Sequence, residues 1–157
     1  MKNLSLFCLL LICIGFESCQ KKQNPEATQA KEEKPISVEC YKALYENDTI
    51  NLQINTLKDG SITGNMLMKI VDSPEKTGTI SGKFHGDTLF VDYSFIQGTN
   101  EERKFKNPMA LLKKDNELIL GNGKIETYLG RSSFVKGAPI DFDRVKYKFS
   151  KVECDNK

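Results

Sequence analysis

The sequence predicts an all-β fold, a small antiparallel up-and-down barrel of about eight strands, with a two-sheet β-sandwich as the alternative. Three observations carry this reading. From Ile36 onward apolar residues recur at every second position, the period of a strand with one buried face. Short polar turns separate the runs, as antiparallel neighbours require. Cysteines stand near both ends of the stretch, at Cys40 and Cys154, where closing a meander brings the first and last strands side by side.

Taken in order, the strand runs are 36–46, 49–57, 61–71, 77–85, 88–97, 101–113, 117–127 and 144–154. Ile50, Leu52 and Ile54 alternate with Asn51, Gln53 and Asn55 in the second. Ile62, Gly64, Met66, Met68 and Ile70 share one face of the third, and Ile80, Gly82 and Phe84 one face of the fourth. Leu89, Val91, Tyr93 and Phe95 continue the pattern, and Val145, Tyr147 and Phe149 close it. The turns are "END" (46–48), "KDG" (58–60), "HGD" (85–87), "GTN" (98–100) and "KDN" (114–116). Asn107-Pro108 interrupts the sixth run, and proline's missing N–H predicts a bulge or an edge there. Inward glycines such as Gly64 and Gly82 permit the sharp bends that closure needs.

The cysteines extend the argument to location. Of five, Cys8 and Cys13 lie in the apolar N-terminal run "MKNLSLFCLLLICIGF", which has one lysine and then no charge to Phe16. That run is short of the roughly 20 residues of a membrane span and matches a secretory signal, with small Ser18 before a cut. Export leads to an oxidising compartment, where a Cys40–Cys154 disulfide closes nearly the whole domain and contributes about 4–5 kcal/mol in the chain-entropy model. Two free buried thiols are the alternative. Strand parity is in tension with the bridge, because Phe149 and Cys154 face opposite sides of an unbulged strand.

Cys19 is left without a partner. The segment "FESC", Phe16 to Cys19, resembles a relaxed bacterial lipobox of the kind found in Bacteroidota lipoproteins, with Phe16 and Glu17 in place of the usual leucine and small residue. The resemblance implies cleavage after residue 18 and acylation of Cys19, and several acyl chains give a firm anchor where one does not. The expected organisation is a signal peptide at 1–18, a lipidated cysteine and tether at 19–35, and a barrel domain at 36–157. "QKKQNPEATQAKEEKP" (20–35) has no aromatic or branched aliphatic residue and reads as a disordered tether spanning about 20–24 Å. Its "QKK" loosely resembles a surface-export signal, against a plain solvated linker. The expected location is the cell envelope, lipid-anchored at the outer membrane, with the face left open.

Composition narrows the chemistry. Net charge is +2, with 23 basic and 21 acidic residues, so there is no global field for nucleic acid. The single histidine, His85, lies in the turn "FHGD" without a second histidine or a free cysteine for a metal or a nucleophile. Asp141 and Asp143 form a carboxylate pair in a loop with no sign of burial. "LGNGK" (120–124) lacks the helix that a phosphate loop caps, so it reads as a bent strand. No enzyme activity, metal or cofactor is expected. "NDTI" (47–50) and "GDTL" (86–89) read as aspartate-capped turns, and also resemble the Asp-Thr-aliphatic O-glycosylation signal of Bacteroidota, with Thr49 and Thr88 as acceptors.

The long irregular segment 127–143, "TYLGRSSFVKGAPIDFD", is the other candidate region. Tyr128, Arg131, Phe134 and Lys136 make it either a contact surface for a partner or a plug for one barrel end. Residues 36–157 as a whole resemble the calycin or lipocalin-like domains of uncharacterised Bacteroidota lipoproteins, through "ECYKALY" (39–45), "GTISGKFHGDTLFVDYSF" (78–95) and the late Cys154. That resemblance implies binding of a small apolar or amphipathic ligand, in a cavity lined by Phe84, Tyr93, Phe95 and Tyr147. The alternative is a protein-binding module, for instance an inhibitor of a lytic enzyme, since small barrel lipoproteins that inhibit lysozyme are similar in anchor, size and terminal disulfide. In that case the interior is solid and the 127–143 loop carries the contact.

Overall fold

The computed structural model describes residues 33–154. The expected signal peptide, the acylation site Cys19 and most of the tether lie outside the described residues. Within them the chain is all-β. Eight strands close a barrel: β1 (Ser37–Tyr45), β2 (Asp48–Thr56), β3 (Ser61–Lys69), β4 (Lys76–His85), β5 (Thr88–Gln97), β6 (Asn100–Lys114), β7 (Glu117–Leu120) and β12 (Lys148–Val152). Each neighbouring pair is antiparallel, and β12 pairs with both β1 and β7 to complete the ring. Between β7 and β12 the chain makes two small ribbons. One pairs β8 (Asn122–Gly123) with β11 (Ile140–Asp141), the other β9 (Ile125–Tyr128) with β10 (Arg131–Phe134). The barrel, not the sandwich, is therefore the fold.

Period-two alternation fills the interior as expected. Tyr41, Ala43, Ile50, Leu52, Ile54, Ile62, Met66, Ile80, Leu89, Val91, Tyr93, Phe95, Leu111, Leu118 and Phe149 form one continuous buried cluster drawn from every barrel strand. The whole core and the disulfide lie within 33–157, which clusters as a compact unit by itself. Gly64 faces Ile54 and Ile80 across the ladder, and Gly82 faces Ile62 and Val91. A methyl group at Gly64 would fall on the carbonyl oxygen of Gln53, and one at Gly82 on that of Phe90. The neighbouring strands close to a distance that only glycine allows.

Cys40 and Cys154 are joined, with their Cα atoms 5.2 Å apart. The parity tension resolves without a bulge. Tyr41 and Ala43 point inward, so Cys40 points outward, and Cys154 leaves β12 on the outer side, opposite to the inward Phe149. The bridge thus staples the outer wall where the last strand meets the first. Beside it Lys151 Nζ donates to Glu39 Oε1 at 2.7 Å, which lowers the Glu39 pKa and raises that of Lys151.

The expected strands at 117–127 and 144–154 are shorter than their apolar pattern suggests. β7 stops at Leu120, and the chain turns out of the wall at Gly121, whose backbone is pressed by Ile140 and Phe142. The register of β5 against β6 shifts between Phe95 and Gln97, whereas Asn107-Pro108 pairs regularly with Tyr93 and Asp92. The irregularity expected at the proline is displaced to the hairpin end of the same pair.

Candidate functional site

The barrel has two unlike ends. At one end lie the tight turns 57–60, 86–87 and 115–116. At the other lie the turns 46–47 and 70–75, and there β7 releases the chain into the ribbons. Because β7 is four residues long while its partner β6 has fifteen, the wall beside β6 is incomplete at this second end. β10 packs against β6 and covers part of the gap.

A cavity of about 330 Å³ opens here. Tyr93 and Phe95 form its floor from β5, with Met68 and Met109 from β3 and β6, and Leu120 marks the end of β7. Phe134 and Ile125 enter from the second ribbon, and Tyr147 from the approach to β12. Tyr93 and Phe95 stack with centroids 4.7 Å apart, and Phe95 stacks on Phe105 at 5.4 Å, so the two floor rings are held in a stack of three. Phe134 is held by an edge-on contact with Phe90, 6.5 Å between centroids, and packs on the backbone of Gly123, where a methyl group would meet its ring.

The polar groups of this mouth are few and mostly committed. Tyr93 Oη donates to the carbonyl of Lys76 at 2.9 Å and lies 3.1 Å from that of Met66, and burial pushes its pKa well above the ordinary tyrosine value. Tyr147 Oη donates to Asp48 Oδ2 at 2.7 Å. Burial first, then this bond to a carboxylate, pushes the Tyr147 phenol up to about 12. Asp48 also accepts from the Val71 N–H at 2.9 Å, and these two bonds hold its carboxyl below the usual range, with the Tyr147 bond the stronger cause. Asn122 Nδ2 donates to the carbonyl of Arg144 at 2.7 Å. Two cations complete the lining. Lys76 Nζ lies 5.6 Å from the centroid of Phe95, and Lys146 Nζ lies 5.5 Å from that of Tyr45.

Of the residues expected to line a cavity, Tyr93, Phe95 and Tyr147 come together here, and Phe84 does not. β4 runs away from the mouth, so Phe84 reaches the opposite end, where it is 37% exposed. Among the residues of the irregular segment, Phe134 is part of the cavity wall, whereas Tyr128 and Arg131 flank the exposed turn between β9 and β10. Lys136 is exposed on the way to β11. Thr49 sits in β2 between Leu44 and Lys69, and Thr88 in β5 between His85 and Leu112, both partly covered by their neighbours.

The remaining motifs make local contacts. His85 is exposed and meets Phe90 edge-on at 5.8 Å. Asp141 Oδ1 accepts from the N–H groups of Asp143 and Arg144, and its Oδ2 accepts from Arg144 Nε at 2.9 Å. These bonds depress its pKa, and through them it clasps a turn. Among the described residues no group of three or more His, Cys, Asp or Glu is placed to hold a metal ion. No protein-family profile, curated protein or solved structure matches this chain.

Proposed function

We propose that this chain is a barrel held at a cell-envelope membrane by a lipid on Cys19, and that the barrel binds a small amphipathic ligand in its ribbon-covered mouth. The observation that carries the binding is the cavity of about 330 Å³ floored by Tyr93 and Phe95 and walled by Phe134 and Tyr147. Ligand pockets are mostly apolar concavities of roughly 300–1,000 Å³ with a few placed polar groups, and this one is at the small end. Below the mouth the barrel is filled by its own side chains, so the ligand enters one end and does not thread the interior. Export and acylation are supported by the N-terminal sequence, in the basic start, the short apolar run and the unpaired Cys19.

Native mass spectrometry tests the binding. The unit 33–157, produced in an oxidising compartment, should carry or take up a small amphipathic molecule, and Phe134→Ala should weaken its retention. A unit that takes up nothing, with its disulfide formed, would overturn the reading.

The second reading, a protein-binding module, has one observation in its favour. Tyr128 and Leu129, at the tip of the β9–β10 ribbon, are 76% and 88% exposed. If that tip docks on an envelope protein, replacing both residues with serine abolishes co-purification of that protein and leaves ligand uptake intact.

A further inference from the structure

We infer that the ligand of the mouth is a compact anion, with an apolar, preferably aromatic, body and one negative group held by Lys76 and Lys146. This rests on the mouth being a ligand site, as proposed above. The first support is charge. Lys76 and Lys146 line the cavity, and no aspartate or glutamate does. Neither lysine makes an ion pair among the described residues, whereas Lys69 pairs with Glu75 at 3.2 Å and Lys106 with Asp92 at 2.6 Å. Of the nearby acids, Asp141 is engaged by Arg144, and Asp48, bonded to Tyr147 and Val71, also feels the charge of Lys146, so Lys76 is the cation of the mouth with no carboxylate beside it.

The second support is that the other polar side chains of the lining are neutral. The Tyr93 and Tyr147 hydroxyls donate within the protein, and the Asn122 amide donates to Arg144. What remains to meet a polar ligand group is two ammonium groups, which only donate, and the amides of Asn107 and Asn122, whose oxygens can also accept, so it is the charge of the lysines that selects an anion. A neutral ligand would cover the half-buried Lys76 ammonium, which makes no ion pair among the described residues, and leave it without a counter-charge, which is costly as the site loses water. A cation would be repelled. An anion supplies the missing acceptor through charge-assisted hydrogen bonds. The third support is positioning. Each ammonium rests against an aromatic ring, Lys76 on Phe95 and Lys146 on Tyr45, within the range of a cation–π contact, so both chains are restrained before the ligand arrives. The Tyr93–Phe95 pair then gives the apolar body of the ligand an aromatic wall to pack on.

Two fluorescent probes with nearly the same body separate the charge from the pocket. 1-Anilinonaphthalene-8-sulfonate is an aromatic anion, and N-phenyl-1-naphthylamine is its neutral counterpart. The protein has no tryptophan, so the emission background is low. Titrated into unit 33–157, the anion should bind at least about tenfold more tightly than the neutral probe, and added salt should shrink the difference. Lys76→Met with Lys146→Met should abolish the preference, chiefly by weakening anion binding, with circular dichroism unchanged. Equal binding of both probes to the unaltered protein would overturn the anion inference while leaving the pocket in place. If neither probe binds, or if Phe134→Ala leaves both affinities unchanged, the pocket reading falls and the inference falls with it.

Discussion

Tyr147 and Asp48 are 99 residues apart in sequence and are joined by a 2.7 Å hydrogen bond from the phenol to the carboxylate. The bond ties the start of β2 to the segment that leads into β12, across the rim of the mouth. Asp48 also accepts the Val71 N–H, so three separate pieces of chain meet at one carboxylate. Tyr147→Phe removes the bond that contributes most to lowering the Asp48 pKa. The Asp48 carboxyl should then titrate closer to the ordinary aspartate value, while the smaller effect of Val71 persists. Carboxyl carbon NMR across an acid titration reads this directly, and an unchanged Asp48 midpoint would show that the phenol does not control it.

The same groups set the pH limits of the fold. Asp48, Asp59, Asp141 and Glu39 all have depressed pKa values, and Asp59, bonded to Ser61 and near Lys83, falls to about 2. A carboxylate with a lowered folded-state pKa stabilises the fold above its unfolded value, near 4, and loses that contribution as pH falls through the folded value. Stability should therefore decline from about pH 4 toward pH 2. Tyr41, Tyr93 and Tyr147 are shifted the other way, upward, chiefly by burial. Their contribution is complete below the unfolded tyrosine value, near 10, and is lost as pH rises through the folded values, about 12 for Tyr147. Urea midpoints measured from pH 2 to 12 should form a plateau that falls at both ends. A midpoint still level at pH 11.5 would contradict the alkaline arm.

The disulfide closes a span of 114 residues, and in the chain-entropy model a loop of that length stabilises by about 4–5 kcal/mol. Cys40→Ser with Cys154→Ser should lower the urea midpoint sharply. β12 is five residues long and holds the seam between β1 and β7, so protection from amide exchange should be lost there first. Exchange mass spectrometry that finds β12 as protected as in the oxidised protein would assign the closure to Phe149 and its packing instead.

Most of the barrel was legible because a strand with one buried face writes its period directly into the chain. Ile50, Leu52 and Ile54 are all buried, and Asn51, Gln53 and Asn55 all face the other side. The early end of β7 was not legible from hydropathy. Its signal was Gly121 and Gly123, both packed against side chains of the later segment, Ile140, Phe142 and Phe134. Phe84 has the same inward parity as Ile80, yet parity gives the face of a strand and not the end of a barrel. Lys76 and Lys146 were missed for a simpler reason. A lone lysine looks like any solvated residue in sequence until the ring beneath it is seen.

Gly64 tests closure. Its neighbour's carbonyl occupies the place where a β-carbon would go, so Gly64→Ala forces β2 and β3 apart in the middle of the ladder. The expected loss exceeds about 3 kcal/mol, the upper range for overpacking, because backbone cannot yield as a side chain can. Thermal melts should show a large drop in midpoint or no cooperative transition. An alanine variant that melts with the original protein would mean the strands can separate here without penalty.

Leu129 occupies the turn between β9 and β10 with φ at 48°, followed by Gly130 at 75°. Two left-handed central residues are the requirement of a type I′ turn, for which Asn-Gly is the favoured pair. Leucine has no polar group to satisfy the local backbone, and the left-handed region disfavours it by roughly 1–2 kcal/mol. It is also 88% exposed, so burial offsets none of that strain. Leu129→Asn creates Asn-Gly at a position whose backbone already suits it. The ribbon, which also carries Thr127 Oγ1 and Ser132 Oγ 3.0 Å apart, should become harder to open by about 1 kcal/mol. Because the ribbon can open without the barrel, the gain should appear locally, as roughly fivefold slower amide exchange across 125–134, with little change in the global melting midpoint. Faster exchange in the asparagine variant would mean that the leucine side chain holds the ribbon down.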